Sequence, residues 1–278
     1  MTKEKKCYRS MNVMIEHMNT KQLLEWYITA GVDVTCGEKP WEMLGVSVPV
    51  KVLSSTPIVP ASEAVSRPAT TKLAQATVAA CRNARQLSTK ADTLDALKSL
   101  VENFDGCALR LTANKTVFGY GKPTADLMLV GEAPGADEDR SGIPFVGRSG
   151  HLLDKMLNAI GMNRDECFVT NVLPWRPPGN RTPTGGEIAV CLPFLKRQIE
   201  LVKPKVILML GGSAAKALLD NEEPISRLRG KWLKYNTSEG TIIPIMASFH
   251  PAYLLRNSGQ KAKAWADMIR VKQKLCEN

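Results

Sequence analysis

The stretch Asp126-Leu-Met-Leu-Val130, followed directly by Gly131-Glu-Ala-Pro-Gly135, decides the fold of this 278-residue chain. Its uninterrupted apolar residues are typical of a strand buried on both faces, as the strands of parallel sheets are. The glycines and the proline that follow predict a tight turn at the carboxyl end of the strand, where open α/β sheets bind their ligands. We therefore expect a ligand site directly after this strand.

The same apolar pattern recurs further along the chain, between segments with helical periodicity. Further strands are predicted over residues 167–172, 206–210 and 242–247. Thr184 and Glu187 form a capping box, which predicts that one of the intervening helices begins there. Because strands separated by helices require right-handed crossovers, the fold class is α/β, with a parallel sheet covered on both faces.

Composition divides the chain into three parts. Residues 1–45 form an N-terminal extension with one short helix, in which Met11 is an alternative start. Residues 46–72 are rich in Pro, Ser, Thr, Val and Ala without a sustained period, which is typical of a disordered linker. Residues 73–278 form the expected compact domain, including a leading helical segment that docks on its body.

The charge balance of the chain is basic, with 37 Lys and Arg against 27 Asp and Glu. This balance favours a polyanionic partner, although a membrane surface or simple solubility would also account for it. No apolar run approaches the ~20 residues of a bilayer span, and the polar start lacks the apolar core of a secretion signal. The seven cysteines have no paired spacing. We therefore expect a cytoplasmic protein with reduced thiols and no membrane association.

A second motif, Ser248-Phe-His-Pro-Ala-Tyr-Leu-Leu-Arg-Asn257, follows the last predicted strand. Since the carboxyl ends of parallel strands lie on one side of a sheet, this motif should face the first turn. Together with Phe145, Asn171 and the run Arg176-Pro-Pro-Gly-Asn-Arg181, the two motifs resemble the family 4 uracil-DNA glycosylases. The resemblance covers roughly residues 100–270 and implies a three-layer α/β/α sandwich around a four-stranded parallel sheet.

The first turn would hold the uracil ring, because its glycines let the backbone approach a planar base closely. By the resemblance, Glu132 lines the pocket, Glu138 is a candidate for positioning the attacking water, and Phe145 stacks on the extruded base. Other branches of the superfamily have an acidic residue where this chain has Ala133, so the group that activates water stays open. A purely structural turn and a core-filling phenylalanine are the alternatives. The predicted base-contacting and catalytic residues are Gly131, Glu132, Ala133, Pro134, Gly135, Glu138, Phe145, Asn171 and His250.

The carboxamide of Asn171 offers a donor and an acceptor side by side, which match O4 and N3–H of uracil and oppose the pattern of cytosine. Leaving a buried polar group unpaired costs roughly 1–3 kcal/mol, so cytosine would be rejected. His250 would donate to uracil O2, where negative charge develops as the glycosidic bond breaks. The alternatives are a structural amide at the strand end and a structural histidine before a proline.

Leu254 and Leu255, exposed beside Arg256, suit a wedge that enters the base stack next to a phosphate contact. A helix start that packs into the core is the alternative for this segment. Cationic loops near the site are expected to contact phosphates, although solvated surface would explain them as well. Small residues after Gly211 leave backbone amides accessible. The predicted DNA-contacting residues are Arg176, Asn180, Arg181, Ser213, Arg229, Leu254, Leu255 and Arg256.

Family 4 enzymes hold an iron–sulfur cluster on four cysteines, and this chain has only two of them. Cys107 and Cys191 match two ligand positions, whereas Phe104 and Trp175 occupy the other two. Two thiolates cannot complete a four-ligand site. We therefore expect no metal and no cofactor, with these four side chains packed as an apolar plug.

The function that the resemblance implies is DNA repair. A monomeric glycosylase would flip deoxyuridine out of uracil-containing DNA, hydrolyse its N-glycosidic bond and release uracil, leaving an abasic site for downstream abasic-site repair enzymes. Two alternatives stay open: a DNA-binding or damage-sensing protein that keeps the fold without turnover, and a glycosylase for another deaminated or alkylated base. A uracil-release assay on single and double strands separates them.

Overall fold

The computed structural model describes residues 68–277 of the chain. The predicted extension over residues 1–45, and the predicted linker as far as residue 67, lie outside the described residues. A helix begins at Pro68, so residues 68–72 of the predicted linker are helical. Proline fits the first turn of a helix, and the alanines that follow it favour helix formation.

A single mixed sheet of six strands forms the centre of the domain in this part of the chain. Its strands are β1 (Tyr120–Gly121), β2 (Leu127–Gly131), β3 (Phe168–Asn171), β4 (Val206–Leu210), β5 (Trp232–Asn236) and β6 (Ile242–Ser248). The strand order is β1-β3-β2-β4-β6-β5. The four inner strands are parallel, as predicted, and β1 and β5 pair with them antiparallel at the two edges. The predicted sheet therefore lacked two edge strands.

Helices cover both faces of this sheet. In the described residues they are α1 (Pro68–Ser88), α2 (Leu94–Glu102), α3 (Leu109–Thr112), α4 (Ala136–Ser141), α5 (Arg148–Ala159), α6 (Gly185–Val202), α7 (Gly212–Leu219), α8 (Ile225–Leu228), α9 (Pro251–Arg256) and α10 (Lys261–Glu277). None of them is both long and apolar enough to cross a membrane.

Alternate residues of each strand point to opposite faces of the sheet, which gives two apolar clusters. One cluster joins Met128 of β2 to Ile199 of α6. The other joins Leu129 of β2 to Leu153 of α5 and Met268 of α10. The arrangement confirms the expected three-layer α/β/α sandwich, and it explains why every residue of β2 and β4 is buried.

The ends of the helices follow local sequence signals. The predicted capping box at the start of α6 is present, since the amide of Glu187 donates to Thr184 Oγ1 at 3.2 Å and the amide of Thr184 donates to Glu187 Oε2 at 2.8 Å. Pro193 lies inside this helix without ending it. The α1 helix packs along α6, and the side chain of Ala84 is fully buried there. The leading helical segment is therefore part of the folded domain.

Candidate active site

A cavity of about 390 Å³ opens at the carboxyl ends of β2, β3 and β6. The turn after β2, the end of β3 and the motif after β6 all line it, so the two sequence motifs face each other as predicted. Its volume is typical of a pocket for a small ligand. The predicted site residues that line the cavity are Glu132, Ala133, Pro134, Gly135, Glu138, Phe145, Asn171, Asn180, Arg181, His250 and Arg256.

Gly131 ends β2, and its missing side chain makes room for two pocket residues. A Cβ atom at this position would lie 2.3 Å from Oδ1 of Asn171 and 2.7 Å from Cζ of Phe145. Both distances are far below van der Waals contact, so a glycine is required for the amide and the ring to approach this end of the strand. Gly131 therefore does not line the cavity but makes room for the two side chains that do.

Phe145 holds its ring at the cavity wall from an unusual backbone conformation. Its φ is 55°, in the left-handed region, where a residue with a side chain costs roughly 1–2 kcal/mol. The ring is 4% exposed and belongs to the apolar cluster of α5 and α10. Its centroid lies 5.6 Å from that of the His250 imidazole. The ring thus fills the core and forms part of the cavity wall at once, so the two predicted roles are compatible.

Arg164, a residue absent from the sequence prediction, holds the loop of Phe145. Its guanidinium donates to the carbonyl oxygens of Pro144 at 2.9 Å and Phe145 at 2.6 Å. It also pairs with Asp154 of α5 at 2.7 Å. These charge-assisted bonds offset the cost of the left-handed backbone and fix the loop against α5.

The two predicted acidic residues have different environments. Glu138 is buried, and its carboxylate accepts from the amides of Val146 and Gly147, both at 2.9 Å, and from that of Gly135 at 3.1 Å. These bonds tie the first turn to the loop of Phe145. Glu132 is half-buried in the cavity wall, and its side chain makes no hydrogen bond or ion pair with residues 68–277.

Asn171 is the last residue of β3 and is 5% exposed. Its Oδ1 is a buried acceptor that has no hydrogen-bond partner within the described part of the chain. Buried polar atoms in folded proteins are almost always hydrogen-bonded, so an unpaired one at a cavity wall indicates a ligand that supplies the donor. The structure places this amide in the lining of the cavity, beside the other predicted site residues.

His250 caps the first turn of α9, because its Nδ1 accepts a hydrogen bond of 3.1 Å from the amide of Ala252. An Nδ1 that accepts places the proton of a neutral imidazole on Nε2. Burial first, and then the positive charge of Arg256, lower the pKa of His250, while Glu138 opposes the shift; together they bring it to about 4. The side chain is therefore a neutral Nε2–H donor at the cavity near pH 7.

The loop after β3 is braced by its own side chains. Arg176 donates from Nε to Oδ1 of Asn180 at 2.8 Å, and its Nη1 lies 4.0 Å from the buried carboxylate of Asp139. Arg181 pairs with Glu187 through two bonds of 2.6 and 2.9 Å, and this partner lowers the pKa of Glu187 to about 2. Asn180 and Arg181 line the cavity, whereas Arg176 holds Asn180 from behind.

The predicted exposure of both leucines of the wedge is wrong for Leu254. Leu254 is 1% exposed and packs with Phe249 and Ala264, because α9 begins at Pro251 and turns this side chain towards the interior. The alternative of a helix start that packs into the core is therefore correct for Leu254. Leu255 is 40% exposed, so it alone is available to a partner.

Two more predicted DNA contacts have other surroundings. Arg229 was expected to contact phosphate, but its guanidinium is mostly buried and pairs with Asp267 of α10, with the Nε hydrogen bond at 3.0 Å. Its charge is already compensated inside the domain, so it does not present a free cation to DNA. Ser213 lies in the first turn of α7 and does not line the cavity, although Gly211 before it lies against the Cβ of His250.

Several cavity residues were absent from the prediction, and most of them adjoin the predicted ones. Tyr253 and Ala252 belong to the second motif, and their position after a capping histidine was the signal that could have identified them. The residues in this group are Ser149, Pro177, Thr182, Pro183, Ala252 and Tyr253.

The four positions of the expected plug are all buried in one apolar cluster. Sγ of Cys107 lies 4.0 Å from Sγ of Cys191, and the hydrogen bond between them, together with burial, raises the pKa of the Cys191 thiol. The rings of Phe104 and Trp175 are 6.5 Å apart and nearly parallel, at 17°. The Trp175 indole donates to Thr116 Oγ1 at 3.1 Å.

An iron–sulfur cluster does not fit this donor set. Four thiolates are needed, and neither a phenyl ring nor an indole whose N–H is already bonded to Thr116 can replace one. A Cβ atom on Gly106 would lie 2.4 Å from Cζ of Phe104, so this ring lies directly against the neighbouring backbone. Within residues 68–277, no three His, Cys, Asp or Glu side chains are grouped to hold a metal ion.

Residues 118–269 match the family model of the Uracil DNA glycosylase superfamily. A type-4 uracil-DNA glycosylase of Sulfurisphaera tokodaii is 38% identical over 187 residues, which cover 66% of this chain and 84% of that protein. The type-4 enzyme of Archaeoglobus fulgidus is 41% identical over 168 residues, or 59% of this chain and 84% of the other. A type-5 uracil-DNA glycosylase of Pyrobaculum aerophilum is 28% identical over 167 residues, or 54% and 72%.

The family model spans more than half of the chain, and its boundaries enclose β2, β3, β4 and β6 together with the cavity. The chain belongs to the uracil-DNA glycosylase superfamily, and its greater identity to the type-4 relatives makes it a member of the type-4 group.

Proposed function

We propose that the cavity binds deoxyuridine flipped out of DNA and that the protein hydrolyses its N-glycosidic bond in DNA repair. The unpaired Oδ1 of Asn171 is the observation that carries this proposal. Uracil N3–H supplies the missing donor, and the amide nitrogen of the same side chain donates to O4. Cytosine has an acceptor at N3 and would leave Oδ1 unpaired in a buried place, which costs roughly 1–3 kcal/mol.

His250 and Phe145 act on the same base. The uracil ring stacks on Phe145, and Nε2–H of His250 donates to O2, where negative charge accumulates as the bond to the sugar breaks. A neutral donor already in place needs no rearrangement as that charge develops. The lowered pKa of His250, about 4, keeps the imidazole neutral in the pH range of repair.

Glu132 orients the attacking water in this mechanism. Its carboxylate is half-buried at the cavity and makes no bond to other described residues, whereas Glu138 already accepts three backbone amides. A base needs a free lone pair within reach of the water, which favours Glu132. Glu138 then acts by holding the first turn against the loop of Phe145.

DNA contact uses the rim of the cavity. Leu255 is the exposed apolar side chain that fills the gap left by the flipped base. Arg256 and Arg181 contact the flanking phosphates; unlike that of Arg229, the guanidinium of Arg181 is exposed, and its pairing with Glu187 at the surface leaves it accessible. Arg176 and Asn180 keep the loop after β3 in shape, and the first turn of α7 at Ser213 offers backbone amides to the sugar–phosphate chain. The protein acts as a monomer on uracil-containing DNA and leaves its abasic product to downstream repair enzymes.

The proposal includes no iron–sulfur cluster. The apolar plug of Phe104, Cys107, Trp175 and Cys191 fills the space that a cluster would otherwise take. No chemical step of uracil release requires a redox group, because hydrolysis of the bond is heterolytic.

The test is a base-release assay with purified protein on otherwise identical oligonucleotides that carry uracil, thymine, cytosine or hypoxanthine, each as single and as double strands. We expect free uracil and an alkali-labile abasic site from the uracil substrates alone. Binding to uracil-containing DNA without release would support the damage-sensing alternative. Faster release of hypoxanthine than of uracil would support another base as the substrate. The variant Asn171→Ala is the control for contaminating glycosylase.

A further inference from the structure

Asp267 of α10 is a fully buried carboxylate outside the cavity lining. Its Oδ2 accepts a hydrogen bond of 2.7 Å from the hydroxyl of Ser248, the last residue of β6. The same oxygen accepts one of 3.0 Å from Nε of Arg229, whose Nη2 donates to Oδ1. A buried charge is tolerated only when it is paired and hydrogen-bonded, so these contacts are conditions of its burial.

The contacts of this carboxylate surround the residues that lead into His250. Ser248, two residues before it, is held from its side chain by Asp267 and from its carbonyl oxygen by the amide of Gly211 at 2.9 Å. Phe249, the next residue, lies under the guanidinium of Arg229, with 5.5 Å between Cζ and the ring centroid. Side-chain and backbone positions are therefore fixed up to the histidine itself.

The loop before β5 closes the network. Gly230 has a φ of 71°, its amide donates to Ala247 O at 3.0 Å, and its carbonyl oxygen accepts from Arg270 at 2.7 Å. A Cβ atom there would lie 2.8 Å from Oδ1 of Asp267. Because glycine alone combines this conformation with so close an approach, the loop is built around the carboxylate.

We propose that Asp267 is a positioning residue that sets the location of the His250 imidazole, acting through Ser248 and Arg229. The inference rests on the proposed function, in which His250 donates to uracil O2. A donor to a developing charge must be placed within a fraction of an ångström, and a shift of about 1 Å costs on the order of 100-fold in rate. Loosening the network should therefore lower the rate of bond cleavage without weakening DNA binding.

The test compares Ser248→Ala and Asp267→Asn with Val271→Ala. Val271 is also fully buried on α10 and belongs to the apolar cluster of β2 and α5, so it controls for lost stability. Single-turnover release of uracil, at a temperature where all variants are folded, should fall by about 10- to 100-fold in Ser248→Ala with the Kd for DNA within about twofold of wild type. Val271→Ala should keep the wild-type rate. Ser248→Ala removes one bond only, so it decides the matter if Asp267→Asn does not fold.

Two readouts separate positioning from a general loss of structure. In a His250→Ala background, Ser248→Ala should add less than about a threefold further loss, because residues that act as a unit are non-additive. The nitrogen chemical shifts of the His250 imidazole, one of only three histidines in the chain, should move in Ser248→Ala and not in Val271→Ala. Multiplicative losses in the double variant, or unmoved His250 signals, would overturn the inference. The imidazole signals need no substrate, so absent uracil release by wild type would count against the proposed function alone.

Discussion

The ring of Phe145 and the imidazole of His250 lie 5.6 Å apart, with 27° between their planes. The two side chains come from loops that are more than a hundred positions apart in the sequence, yet they form one continuous wall of the cavity. In the proposed mechanism, a base that stacks on the ring of Phe145 is therefore brought next to the His250 donor. The proposed stacking and charge stabilisation then both depend on the contact between these two rings.

Replacing Phe145 by leucine separates its two roles. Phe145→Leu keeps an apolar side chain in the cluster with Leu153 and Met268, so the melting temperature should fall only modestly. Loss of the aromatic face should cost roughly 1–3 kcal/mol of base stacking. This cost is measured as a lower kcat/KM for uracil release. Phe145→Ala should lose activity and also about 3–5 kcal/mol of unfolding free energy. Full activity of the leucine variant would remove the ring from base recognition.

The amide of Asn171 should determine the choice of base. In Asn171→Asp an ionised carboxylate has no donor for uracil O4, so kcat/KM should fall by the equivalent of roughly 1–3 kcal/mol and the preference for uracil over cytosine should narrow. Release from matched uracil and cytosine oligonucleotides measures both effects. Asn158→Asp, an exposed change on α5, is the control. Unaltered selectivity in Asn171→Asp would show that the O4 and N3–H edge of uracil does not contact Asn171.

Burial of His250 makes stability depend on pH. The pKa is lowered from 6.5 to about 4, so between these values the unfolded chain binds a proton that the folded chain does not. The unfolding free energy should therefore fall as the pH drops through this window, by roughly 3 kcal/mol in total. Urea unfolding at several pH values measures the slope, which should be smaller in His250→Gln. The control His151→Gln changes an exposed histidine on α5. Identical slopes in wild type and His250→Gln would show that burial does not shift this group.

Replacing Glu132 should change the rate of uracil release, whereas replacing Glu138 should change the stability of the fold. Glu132→Gln should slow single-turnover release by about 100- to 10,000-fold with an unchanged melting temperature, because it removes a base and no internal bond. Glu138→Gln should cost roughly 1–3 kcal/mol of unfolding free energy, since one end of the new amide cannot accept the backbone N–H groups. If Glu138→Gln were stable but inactive and Glu132→Gln were active, Glu138 and not Glu132 would be the residue that orients the attacking water.

The plug cysteines should contribute only packing. Purified protein should be colourless and lack stoichiometric iron and acid-labile sulfide, because two aromatic rings stand at two of the four ligand positions. Cys107→Ala and Cys191→Ala should each retain uracil release and lose about 1–2 kcal/mol of unfolding free energy or less. Cys276→Ala, at an exposed thiol, is the control. A brown preparation whose colour and activity vanish with either buried cysteine would show that other ligands complete a cluster.

Local patterns were enough to predict the inner sheet and the face of the molecule that carries the site. The apolar runs of β2 and β4 and the capping box of α6 act within a few residues, so their outcome is visible in the sequence. The edge strand β1 has only two residues and gives no period to detect. Its pairing with β3 is a tertiary effect.

Errors in the predicted site arose where a side chain's partner is distant in sequence. Nothing near Arg229 indicates that Asp267 will neutralise it, and nothing in two adjacent leucines indicates which one faces the interior. The helical turn of α9 determines which leucine faces the interior, and this helix begins only where His250 caps it. The bonds of Glu138 to the loop of Phe145 were hidden for the same reason.

If Phe145 stacks on the extruded base as proposed, its left-handed backbone has a consequence for the rate of base capture. Arg164 and α5 hold this loop through bonds within the domain itself, so the entropy of ordering it is lost during folding. In the proposed mechanism an extruded nucleotide then enters a preformed cavity, and this loop does not have to close around it first. The rate of capture should accordingly rise with the frequency at which a base pair opens. Weakly paired uracil should therefore be captured faster than well-paired uracil.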